Sequence, residues 1–119
     1  VLATFHASRG IDAVPVCFVA TGTRVVVPID RVKEKSTTDL QRERNLDHDP
    51  RATLLCEHWD PDDWSQLWWV RATLGRVAAQ PDEVSVLEEG LRSKYVQYAG
   101  SSFAGLLVFE ITEVTGWVA

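Results

Sequence analysis

The sequence predicts a small antiparallel β-barrel with two helical attachments, and three observations carry that expectation. Short apolar and β-branched runs succeed one another at hairpin spacing. Turn residues such as Ala7-Ser8-Arg9-Gly10 and Thr21-Gly22 separate them. Only two stretches, one at 36–47 and one opened by Pro81, carry helix signals. At 119 residues and 45% hydrophobic, the chain is expected to form one domain, 1–119, with a single core. Two cysteines exclude a disulfide framework, and no run approaches the ~18 apolar residues of a membrane span. A net charge of −5 argues against a general nucleic-acid binder. The expectation is a cytoplasmic protein that binds neither membrane nor nucleic acid. No Met occurs and Val1 already lies in a strand pattern, so an N-terminal segment is expected to be missing.

Val1 to His6 reads as the first strand, closed by the turn at 7–10. Ala13 to Ala20 reads as the second, and with Arg24 to Ile29 it forms a hairpin. Both alternating sets of Val14-Pro15-Val16-Cys17-Phe18-Val19 are apolar, which suits a strand covered on both faces. Pro15 cannot donate to a ladder and implies an edge or a bulge. Ser36-Thr37-Thr38-Asp39 fits a capping pattern for a helix over 36–47. Its thin stripe, Leu40 and Leu46, predicts a surface helix, and Asp49-Pro50 stops it. Arg51 to His58 is a strand and Trp68 to Ala78 the longest one, with Gly75 as a candidate bulge. Pro81-Asp82-Glu83 opens a helix whose apolar face is Val84, Leu87, Leu91 and Tyr95. Gly105 to Thr112 is the last strand, making about six in all.

Basic charge is concentrated. Residues 31–44 hold Arg31, Lys33, Lys35, Arg42 and Arg44 and carry a net +2, against −7 for the remainder. Lys33 and Lys35, with the hydroxyls of Ser36, Thr37 and Thr38 at a helix start, could hold a phosphate. A solvated charged helix is the equal alternative. Four of the five tryptophans fall within 59–69. On a strand, Trp68, Val70, Ala72 and Leu74 share one face and read as core. Trp69, Arg71 and Thr73 share the other, where an aromatic plane beside a guanidinium suits a flat anionic ligand. Packing of Trp69 against a neighbouring subunit is equally consistent. His6, His48 and His58 lack zinc spacing, and Asp60, Asp62 and Asp63 lack the Gly and Glu of a calcium loop. Cys17 and Cys56 read as buried hydrophobes, and no hydrolase motif occurs.

The order of these features resembles a known family. Val1-Leu2-Ala3-Thr4 is followed by Val14-Pro15-Val16-Cys17-Phe18, a Lys-rich turn and Arg44-Asn45-Leu46. Asp49-Pro50-Arg51, Leu54-Leu55, Trp69-Val70-Arg71 and Gly75 follow. The chain resembles the pyridoxamine 5′-phosphate oxidase-like family of FMN-binding split β-barrels. It is most similar to the branch of F420-dependent oxidoreductases, through the segment from His58 to Arg71, Lys33-x-Lys35 and Gly116-Trp117. The resemblance implies a six-stranded antiparallel split barrel that forms a homodimer, with coenzyme F420, or alternatively FMN, in a groove between subunits. It implies phosphate or tail ligands at Lys33, Lys35, Ser36, Thr37 and Thr38. Trp69 and Arg71 become groove walls, and Val16 and Asp30 complete the cofactor-binding set. Lys35 precedes Arg44 by nine positions, longer than usual in that family. The activity implied is hydride transfer between the coenzyme and a small organic substrate, for which no catalytic base is assigned. The alternatives are an FMN-dependent oxidase or reductase and a non-catalytic cofactor-binding protein.

Overall fold

A polar turn and a glycine at φ +98, Gly10, fold the chain back at its start. In the computed structural model, which describes residues 1–30 and 40–119 (at Asp30 the backbone alone), β1 (Leu2–His6) pairs through this turn with β2 (Gly10–Val14). His6 Nδ1 accepts the N–H groups of Ser8 and Arg9 at 3.0 and 3.1 Å and so satisfies the turn. β3 (Val19–Thr21) and β4 (Arg24–Asp30) form the expected hairpin across Gly22. α1 (Gln41–His48) precedes β5 (Arg51–His58) and β6 (Trp68–Val77), and α2 (Val84–Lys94) precedes β7 (Phe103–Val118). The strands make one antiparallel sheet of seven, in the order β2-β1-β5-β6-β7-β4-β3.

Strand alternation sorts the side chains. Leu2, Leu54, Leu74, Val25, Val27, Leu107 and Phe109 form one inner cluster. Leu2 and Val25 share it although their strands lie near opposite ends of the sheet, so the sheet curls around it. Val26 and Val108, at the intervening positions, point outward onto Leu87 and Leu91 of α2. Among the described residues no helix is long and apolar enough to cross a membrane.

Several expectations need correction. The strand expected at 13–20 is two strands, because residues 15–18 leave the sheet and link β2 on one edge to β3 on the other. Pro15 cannot bond in a ladder, and Val16 and Phe18 pack against the inner cluster instead. The backbone of Phe18 is satisfied from α2, since Tyr95 Oη accepts its N–H and donates to its C=O, both at 3.0 Å. This split raises the strand count from six to seven. The strand buried on both faces is β4, where Val25 to Ile29 are covered throughout. The first helix is observed from Gln41, with Glu43 accepting the Leu40 N–H at 3.2 Å, while the proposed Ser36–Asp39 cap lies outside the described residues. The bulge expected at Gly75 sits on the facing strand, where Thr112 is the extra residue opposite the Thr73–Leu74 step. The last strand runs on to Val118. Trp68 and Val70 are 38% and 41% exposed, because β6 projects past the core that Ala72 and Leu74 reach.

Candidate functional site

The outward side of the sheet is divided. α2 covers the β3-β4-β7 part, whereas the β2-β1-β5-β6 part holds a cleft of about 670 Å³. Pairing register builds it: Ala13 lies opposite Ala3, Ala3 opposite Thr53, and Leu55 opposite Arg71. Small side chains make the floor, and Val1, Leu55, Leu67 and Trp69 make an apolar wall. A second cleft of about 240 Å³ continues it past Ala3 and Thr53 to Phe5, Ile11 and Arg51.

Two charges enter the larger cleft, Glu57 and Arg71. The Arg71 guanidinium lies 5.4 Å from the centre of the Trp69 ring, so the aromatic plane and the cation expected from the alternation do meet. Arg71 has no ion-pair partner among the described residues, which leaves its charge available to an anion. Arg51 differs. It lies 4.8 Å from the Phe5 ring centre but is held by Asp49 at 2.7 Å, and that hydrogen-bonded pair lowers the Asp49 pKa to about 2.

The other expected site residues fall elsewhere. Val16 packs against the inner cluster, away from the outward face that Trp69 and Arg71 share. Asp30 ends β4 opposite Phe103. Lys33, Lys35, Ser36, Thr37 and Thr38 lie outside the described residues. Asp60 and Asp63, weighed as a faint calcium loop, accept backbone N–H groups of Asp62 and Ser65 and so act as turn caps.

One arrangement escaped the sequence reading. Asn45, 1% exposed, donates through Nδ2 to Thr4 Oγ1 at 3.0 Å and to Asp12 Oδ2 at 2.8 Å, and accepts from Gln41 Nε2 at 2.8 Å. Asp12 is also gripped by Arg9 through two bonds of 2.9 Å. Those bonds from Arg9 and Asn45 hold its pKa at about 2. The network ties α1 to the β1-β2 hairpin. Asn45 therefore fixes α1 against the hairpin.

No protein-family model matches the sequence, and no curated protein is similar to it. Solved structures are similar. An FMN-binding protein from Syntrophomonas wolfei superposes with a TM-score of 0.69 at 14% identity, covering 99% of this chain and 76% of that one. HutZ, the heme storage protein from Vibrio cholerae, gives 0.67 at 14% identity, with coverages of 98% and 82%. A candidate pyridoxamine 5′-phosphate oxidase from Listeria innocua gives 0.63 at 11% identity, with coverages of 99% and 86%. The fold is that expected from the sequence: antiparallel, mainly β, of the FMN-binding split-barrel type.

Proposed function

We propose that this protein is an oxidoreductase that binds a flavin-type ring in the outward cleft and transfers hydride to or from a small organic substrate. F420 is the favoured coenzyme and FMN the alternative. The observation that carries the reading is the cleft itself, with its volume, its small-residue floor and an Arg71 that has no ion-pair partner among the described residues and is held beside Trp69. A cleft of several hundred Å³ with few polar groups is the usual form of a cofactor site. F420 is favoured by the resemblance of the His58–Arg71 segment, Lys33-x-Lys35 and Gly116-Trp117. FMN is favoured by the FMN-binding protein of like fold.

The residues present fit such a group. Ala3, Ala13 and Thr53 let a flat ring approach the strands, Trp69 offers an aromatic edge and Arg71 a positive charge near a ring carbonyl or phosphate. Lys33 and Lys35 serve the phosphate or the anionic tail. When bound, the coenzyme supplies the hydride chemistry, and the chain binds it, orients it and excludes water. A second copy of the chain over the open face makes the groove a closed site. A heme reading would need an axial ligand, and the described walls of the cleft hold no His, Cys, Met or Tyr.

Parallel titrations with F420 and FMN, followed by tryptophan quenching, test the proposal. Tight F420 binding with feeble FMN binding is expected. The reverse moves the protein to the FMN alternative, and binding of neither overturns the reading.

A further inference from the structure

Among the described residues, nothing in the fold requires glycine at position 75. Gly75 is not one of the glycines at positive φ, and the bulge beside it sits on the facing strand. A methyl group there would meet no described atom within 4 Å. Glycine inside a strand weakens the sheet, and it is kept where a ligand comes close to the backbone.

Its surroundings indicate the ligand. Across the ladder Gly75 faces Arg51, and Thr73, two residues earlier on the same outward face, lies opposite Thr53. Arg51, Thr53 and Thr73 line the smaller cleft with Ala3, Phe5 and Ile11. The described lining carries no free charge. Its one charged residue, Arg51, gives its guanidinium to Asp49 through bonds of 2.7 and 3.0 Å. A charged guest would lose its hydration there without gaining a counter-ion, which is unfavourable. The hydroxyls of Thr53 and Thr73 make no hydrogen bond to a described residue, since only the Thr73 carbonyl is engaged, by Thr112. A hydroxyl can donate to a carbonyl oxygen. Size sets the rest. A cavity of about 150 Å³ holds benzene, so about 240 Å³ takes one substituted ring.

We propose that the smaller cleft binds a small neutral carbonyl compound of about one ring. Its body packs on Phe5 and Ile11 and into the space left by Gly75, and its oxygen accepts from Thr53 and Thr73. The two clefts share Ala3 and Thr53, so this guest borders on the floor proposed for the coenzyme ring. That the guest is the substrate rests on the coenzyme reading; that it binds does not.

Amide-shift titrations of the coenzyme-free chain with acetophenone, benzoate and benzylamine compare a neutral, an anionic and a cationic ring. Acetophenone should shift Phe5, Ile11, Arg51 and Thr73 together and bind at least about tenfold more tightly than either ion. An ion that binds as tightly, or acetophenone shifts that are absent or miss these residues, would overturn the proposal. Two variants separate binding from folding. Thr73→Val keeps the shape and strand preference but loses the hydroxyl, so it should weaken acetophenone binding about three- to tenfold at an unchanged melting temperature. Gly75→Ala should weaken it at least about threefold while melting at or above the parent, because the methyl meets the guest and not the chain. Parent-like affinity in either variant would contradict the site. Repeating the titration with F420 or FMN present distinguishes the two readings. Acetophenone binding by a chain that takes neither coenzyme supports the site and overturns only the coenzyme reading.

Discussion

The two outward halves of the sheet are built from similar residues and finished differently. Over β4 and β7, Val26 and Val108 meet Leu87 and Leu91 of α2, and all four are buried. Over β1, β5 and β6, Ala3, Leu55 and Trp69 occupy equivalent outward positions and line an open cleft that no helix among the described residues covers. Burial of a Leu or Val side chain stabilises by roughly 1.5–3 kcal/mol, so the covered half holds the fold together. The open half forgoes that gain. An apolar face left uncovered among the described residues, beside an arginine without an ion-pair partner there, is the signature of a surface kept for a ligand or a second subunit.

Substitutions on the two halves should separate these roles. The largest effect is expected on the covered half: Leu91→Ala, at a fully buried site, should cost about 2–5 kcal/mol in denaturant unfolding. Coenzyme affinity of the molecules that remain folded should not change. Next comes Asn45→Ala, which strands Thr4 and Asp12 without their buried donor and should cost about 1–3 kcal/mol. Trp69→Ala lies on the open half, and it should raise the coenzyme Kd by about tenfold while shifting the melting temperature little. A large thermal loss with unchanged affinity would make Trp69 a packing residue. The smallest effect concerns acid. Asp12 and Asp49 both titrate near 2, below the ordinary carboxylate value, because of their arginine partners and, for Asp12, Asn45. Their contribution is complete above about pH 4 and is lost as pH falls towards 2. Asp12→Asn should therefore flatten the acid limb of a stability–pH profile.

Much of this was legible in residue alternation. The shared face of Trp69 and Arg71 and the placing of Leu87, Leu91 and Tyr95 on one face follow from periods of 2 and 3.6, and these appear as expected. The break after Val14 was not legible, because an apolar run reads alike whether it crosses a sheet or joins its edges. Only Pro15 hinted at it. Trp68 and Val70 look like core in sequence, yet the strand outruns the core it helps to build. Asn45 was hidden for a different reason. Its partners Thr4 and Asp12 lie far away in sequence, and no local pattern predicts a hydrogen bond across that separation. The phosphate-binding set around Lys33 and Lys35 remains a sequence expectation, whereas Trp69 and Arg71 have a place.

The central claim is that the open half of the sheet, and not the covered half, receives the coenzyme ring. Backbone amide shifts during a titration with F420 and then FMN test it residue by residue. The account predicts perturbations at Ala3, Thr53, Leu55, Trp69 and Arg71 that saturate together, with Leu87, Leu91 and Val108 unmoved. Saturating shifts along α2 with a silent Trp69 cleft would contradict it.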